Sequence, residues 1–200
     1  MKLLIGTRNR KKLAELKALL DDLPVEVLDL DNVDCDIDVV EDGDTLEANA
    51  AKKAVVYSRA TGLVTVADDS GLEVDALSGR PGVHSARYAG AEQNDEANIA
   101  KLLRELEGAP SEKRTARFRT VAALADDGGL LFAVSGSVEG VITEARHGSG
   151  GFGYDPVFHH PPSGCTFAEL SAEKKNAVSH RRRALEAFKE RFREWLSTGR

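Results

Sequence analysis

The chain has 200 residues, 42% of them hydrophobic, and a formal net charge of −6. That length suits one domain or two closely joined lobes, with enough apolar residues for a real core. No apolar run approaches the roughly 18 residues a transmembrane helix needs, the apolar start at residues 2–6 is too short for a signal peptide, and net acidity argues against broad nucleic-acid binding.

Cys35 and Cys165 offer neither metal-ligand spacing nor a disulfide framework, so a reduced, cytoplasmic setting is expected. Charge is segregated. Between residues 21 and 47 there are twelve acids and no Lys or Arg, while the chain from Lys174 onward is rich in bases, including Arg181, Arg182 and Arg183. A protein that handles a metal-bound polyphosphate needs both signs, although solvated faces have the same composition.

Residues 2–6 read as a short buried strand. Residues 9–21 read as a helix capped by Asn9, with Leu13, Leu16, Leu19 and Leu20 on one face. Pro24 stops it, and a strand is expected at 25–28. Thr45 opens a second helix that runs to about Thr61 and closes at Gly62. Residues 63–67 form an apolar strand that delivers Asp68 and Asp69 to a break at Ser70-Gly71. Residues 79–90 are irregular, and 94–106 form a helix. Strands at 116–125 and 130–142 are joined by Asp126-Asp127-Gly128-Gly129, a hairpin signal. Residues 148–153 are a glycine-rich loop. A last helix ends near Trp195 with Leu185, Phe188, Phe192 and Trp195 on a core stripe. The alternation predicts an α/β domain with a mixed sheet. Any second lobe would be built largely from the hairpin region, about 114–142.

Five constellations carry chemistry. Asp68 and Asp69 suit a hard cation and an activated water, though they suit an Asx-type turn as well. The turn Gly6-Thr7-Arg8-Asn9-Arg10-Lys11-Lys12 joins a strand to a helix, where free N–H groups and the helix dipole favour phosphate. Asn49 and Lys53 lie four apart on one helix face among small alanines, and Glu41 is available as a second metal carboxylate. Gly150-Gly151-Phe152-Gly153-Tyr154-Asp155 allows close approach to a flat ligand, with Phe152 or Tyr154 to stack on it. Lys175 and His180 are about 140° apart if both sit mid-helix. Either Lys175 lies in the loop before the helix, or one of the two is not a ligand contact. His180-Arg181 at a helix start would be good donors to an oxo group.

Together, Thr7-Arg8-Asn9-x-x-Lys12, Ala67 to Leu72, Pro81 to Gly90, Gly151 to Pro156 and Ser179-His180-Arg181 closely resemble the inosine/xanthosine triphosphate pyrophosphatase family of house-cleaning enzymes, nearly end to end. The resemblance implies Mg²⁺-dependent hydrolysis of non-canonical purine triphosphates to monophosphate and pyrophosphate. It implies a homodimer and an elongated α/β fold, 1–200 as one domain with two lobes and the active site in the cleft between them. By position it makes Asp69 the general base, and Glu41 and Asp69 the magnesium ligands. Thr7, Asn9, Lys12 and Lys53 become phosphate contacts, and Arg8, Arg10 and Lys11 of the same turn are further substrate-binding positions. Ser70, Phe152, Gly153, Tyr154, Asp155, Lys175, His180 and Arg181 become further substrate contacts, the last two nearest the base. Arg8 replaces a small residue usual in the family, and Ala48 replaces a common Glu. Repulsion between adjacent Asp68 and Asp69 is expected to make one of them the better base. The rival readings are a related pyrophosphatase for another modified nucleotide and a non-catalytic nucleotide-binding module.

Overall fold

The computed structural model describes residues 1–198. The strands are β1 (Lys2–Ile5), β2 (Glu26–Asp29), β3 (Val64–Val74), β4 (Pro81–Gly82), β5 (Thr115–Asp126), β6 (Gly129–Ile142), β7 (Phe158–His160) and β8 (Cys165–Thr166). The helices are α1 (Arg10–Leu20), α2 (Leu46–Thr61), α3 (Asp95–Glu105), α4 (Ala172–Val178) and α5 (His180–Ser197). One mixed sheet has the order β2-β1-β3-β5-β6-β7-β8, with β4 also paired to β3. β1 is parallel to both β2 and β3, whereas β4, β7 and β8 enter antiparallel. The expected α/β class with a mixed sheet is therefore what the chain adopts.

The caps explain the helix ends. The Asn9 side chain accepts from the Lys11 and Lys12 amides, Thr45 from Ala48 and Asn94 from Ala97, each satisfying donors that the first helical turn leaves open. Gly62 closes α2 with φ +67°, a left-handed conformation that costs glycine little. Asp127 and Gly128, with φ +48° and +68°, give the two-residue turn whose twist suits a hairpin, so β5 and β6 run antiparallel.

The chain forms two compact units. The first comprises residues 1–69, 120–136 and 183–200; the second comprises 70–119 and 137–182. The tip of the β5–β6 hairpin thus belongs with the amino-terminal unit, contrary to the expectation that the hairpin would build the other lobe. The reason lies in its apolar residues: Ala122 and Leu124 join Leu3, Ile5, Val64 and Val66 in the first unit's core.

In that unit, strand alternation decides which helix covers which face. Leu3 and Ile5 pack with Leu16 and Leu20 of α1 and with Leu185, Phe188 and Phe192 of α5, while Leu4 packs with Tyr57 of α2. The aromatic stripe of α5 is core as expected, with Trp195 packed at its margin. The second unit has its own core around Leu72, Ile99, Leu102, Phe158 and Phe167.

One expected break needs correction. β3 does not end before Ser70-Gly71; it runs unbroken through Asp68 and Asp69 to Val74. Gly71 is there for clearance rather than a turn, since a Cβ would collide with the Gly82 carbonyl of the paired β4. The basic carboxy-terminal stretch forms two helices. Ser179, extended at φ −70° and ψ 147°, separates α4 from α5.

Candidate active site

The first cluster lies in the amino-terminal unit. β1 and β3 are parallel, with Ile5 opposite Val66, and the Gly6 amide donates to the Val66 carbonyl at 2.8 Å. That register sets the turn after β1 beside the carboxylates that follow Val66. Successive strand residues point to opposite faces. Asp68 therefore meets Lys12 of α1 at 2.7 Å, whereas Asp69 faces α2.

Asp69 has an elaborate setting. Asn49 Nδ2 donates to its Oδ2 at 3.1 Å, and Lys53 Nζ lies 3.8 Å from its Oδ1 and 3.1 Å from Glu41 Oε2. Asn49 also accepts from the Gly43 amide at 2.8 Å, which ties the loop carrying Glu41 to α2. Burial pushes the Asp69 carboxyl up to about 6; the Lys53 charge opposes this, Glu41 reinforces it, and the Asn49 hydrogen bond and Lys12 oppose it. The expected cause needs correction: burial and Glu41 raise this pKa, while Asp68 points away to its own lysine.

Lys53 Nζ stands between the Glu41 and Asp69 carboxylates, whose hard oxygens are of the kind a divalent metal takes. Among the described residues no group of three or more His, Cys, Asp and Glu is assembled into a cage. A metal held by Glu41 and Asp69 would complete its shell with water and substrate phosphate, the usual habit of Mg²⁺.

The phosphate turn differs from expectation in one respect. The Asn9 amide donates to Thr7 Oγ1, and the Lys11 and Lys12 amides donate to Asn9 Oδ1, so the cap itself uses these groups. Anion attraction there rests on lysine charge and the helix dipole. Arg8 turns to the 35–37 loop, donating from Nη2 to the carbonyls of Cys35 (3.1 Å) and Ile37 (3.3 Å).

The second cluster lies in the other unit. Lys175 Nζ bonds Asp155 Oδ2 at 2.5 Å and sits 4.1 Å from the Phe152 ring centroid, and Asp155 Oδ2 also accepts the Phe152 amide. Burial pushes the Asp155 carboxyl up against the opposing pull of Lys175. Phe152 is 65% exposed, so it is the aromatic with a face to offer. Tyr154 is not: its ring is buried and its hydroxyl donates to the Ser85 carbonyl at 2.8 Å. The unassigned motif at 81–90 thus acts as scaffold, with Ser85 Oγ also accepting the Leu72 amide.

His180 stacks on Phe118 at 5.0 Å, and His180-Arg181 do open a helix. Lys175 lies not in a loop, as one alternative had it, but in the short helix α4, and because His180 begins the separate helix α5 the 140° offset of a single helix does not apply. Ser70 is half-buried on β3.

Two residues named in the sequence take partners it did not show, and one participant gave no signal. Asn49 was visible only as the i−4 neighbour of Lys53. Asp68 is the partner of Lys12. Asp95, whose carboxylate accepts the Gly153 amide at 2.7 Å, lies 58 residues from its partner and gave no signal at all.

An α/β scaffold with a buried aspartate of raised pKa among lysines and a second carboxylate suits a hydrolase of anionic substrates. The chain belongs to the Ham1 family, which it matches over residues 3–191. It is 53% identical over 189 residues to a Geobacter sulfurreducens dITP/XTP pyrophosphatase, covering 94% of this chain and 95% of that protein. A HAM1 protein structure from Coxiella burnetii superposes with a TM-score of 0.91 at 39% identity, covering 97% and 99% of the two chains. A dITP/XTP pyrophosphatase structure from Mycobacterium abscessus does so with a TM-score of 0.83 at 46% identity, covering 94% and 98%.

Proposed function

We infer that this protein is a nucleoside triphosphate pyrophosphatase that hydrolyses ITP, dITP, XTP and dXTP to the monophosphate and pyrophosphate, clearing non-canonical purines before they enter DNA or RNA. The observation that carries the chemistry is Asp69, a carboxyl with a pKa near 6 among lysines. The dITP/XTP pyrophosphatase relatives support the substrate class.

Asp69 accepts a proton from water as its oxygen attacks the α-phosphorus, the α–β phosphoanhydride bond breaks, and pyrophosphate leaves with the bonding pair. A carboxylate titrating near neutrality is ionised at working pH yet basic enough to take that proton. Lys12 and Lys53 offset charge on the leaving group, with Thr7, Asn9, Arg10 and Lys11 contributing around the turn. Mg²⁺, held by Glu41 and Asp69, would supply further charge neutralisation and lower the pKa of water. Asn49 orients Asp69 and favours its ionised form.

Phe152 stacks on the purine, Lys175 and Asp155 support it, and Ser70, Gly153 and the backbone at Tyr154 make further contacts. Donors from His180 and Arg181 to a 6-oxo acceptor would reject adenine, whose 6-amino group would leave them unmatched. Residues 1–200 then act as one catalytic domain in a cytoplasmic homodimer. No helix among the described residues is long and apolar enough to cross a membrane.

Ion-exchange separation of products from ITP, XTP, dITP, GTP and ATP with Mg²⁺ tests the reading. IMP or XMP plus pyrophosphate, with ATP and GTP nearly untouched, is the expected result. Absence of turnover with every purine triphosphate would overturn it.

A further inference from the structure

Arg8 stands in the phosphate turn, yet its guanidinium is engaged elsewhere. Its Nη2 carries two hydrogens, and both find main-chain acceptors, the carbonyls of Cys35 and Ile37. The Ile37 carbonyl also accepts from Tyr57 Oη at 3.3 Å, so α2 and the turn after β1 grip the same peptide. Gly6 permits the approach, because a Cβ there would stand 2.7 Å from the Tyr57 ring. Four residues beyond Ile37 comes Glu41, which meets Lys53, and two beyond that the Gly43 amide is held by Asn49.

Residues 34–45 have no regular backbone ladder of their own. A loop without such a ladder depends on side-chain ties for its placement. Of the ties described, only those from Arg8 link it to the phosphate turn, and charge-assisted bonds to carbonyls are the stronger kind.

We propose that Arg8 is a positioning residue: it straps the loop carrying Glu41 to the phosphate turn, so that metal carboxylate and phosphate contacts are held in fixed register. The proposal deepens the pyrophosphatase reading and rests on it for its metal-dependent part only. It also replaces a direct substrate contact by Arg8 with an indirect role.

The test compares wild type, Arg8→Ala, Arg8→Lys and Tyr57→Phe in two measurements. The first is amide hydrogen exchange of the nucleotide-free protein. In Arg8→Ala, amides at 35–42 exchange about tenfold faster while β1 and α1 keep their protection. Arg8→Lys resembles Arg8→Ala, since lysine keeps the charge but ends one bond short of the Nη2 position from which both carbonyls are met. Tyr57→Phe moves in the same direction by less.

The second measurement is steady-state ITP hydrolysis across Mg²⁺ concentrations. The strap predicts a rise of about tenfold in the Mg²⁺ needed for half-maximal rate, with KM for ITP at saturating Mg²⁺ nearly unchanged. Unchanged exchange at 35–42, with KM raised in Arg8→Ala and restored in Arg8→Lys, would make Arg8 a phosphate contact and overturn the proposal. Uniformly faster exchange would overturn it too, as a general loss of stability. If wild type hydrolyses neither ITP nor XTP, the functional reading fails, while the exchange measurement still judges the strap.

Discussion

The two clusters of functional residues are built on opposite electrostatic plans. Around Asp69, three charged side chains and one amide crowd a carboxyl whose pKa burial raises to about 6. Around Asp155, one buried ion pair supports an exposed aromatic ring. The first arrangement is suited to moving a proton and tolerating charge that develops during reaction. The second is suited to presenting a flat surface without reacting. On the proposed function, bond-breaking and base recognition fall to different residues, and damage to each should leave a different kinetic mark.

The sharpest test of that division is Lys53→Met. Loss of the cation between Glu41 and Asp69 should lower kcat for ITP by about 10²–10³ with a small change in KM, read from steady-state kinetics. An effect confined to KM would erase the distinction between the clusters. Lys175→Met should do the reverse. It strands a carboxylate of which 2% of the side chain is accessible, costing roughly 3 kcal/mol of stability by urea unfolding. In the folded fraction it should raise KM for ITP more than it lowers kcat.

Phe152→Ala should raise KM about tenfold, the stacking contribution of a base on an aromatic ring, with stability unaltered because the ring is exposed. A fall in kcat without change in KM would remove Phe152 from recognition. The smallest effect concerns pH. Activity should fall as pH drops through about 6 or below, because Asp69 must be ionised to accept a proton and a bound divalent charge favours that form. Asn49→Ala removes a hydrogen bond to the ionised form, so the acidic limb should move up in pH, visible in a kcat/KM profile.

Local rules made much of the fold legible. Asn9, Thr45, Asn94, Gly62 and the Asp127-Gly128 turn each act through neighbours within a few residues, and each does what its residue type suggests. The misreadings arise where tertiary packing overrides a local signal. Ser70-Gly71 resembles a turn, but Gly71 serves the passage of β4, a partner eleven residues away.

The site was legible as a set of residue types and opaque as an electrostatic environment. Adjacent acids suggested mutual repulsion, whereas strand alternation sends Asp68 to Lys12 and leaves burial to raise Asp69. The Arg8 contacts at separations of 27 and 29 residues were equally hidden.

The central claim is that Asp69 is the base that activates water. Its raised pKa carries a stability consequence with a definite sign. The neutral carboxyl is favoured in the folded state, so its stabilisation is full below the unfolded pKa near 4 and is lost as pH rises through about 6. One variant, Asp69→Asn, reads both properties. The account predicts ITP turnover reduced by at least about 10³, with ITP binding retained and a melting temperature at pH 8 equal to or above wild type. Turnover near the wild-type rate in that variant would contradict it.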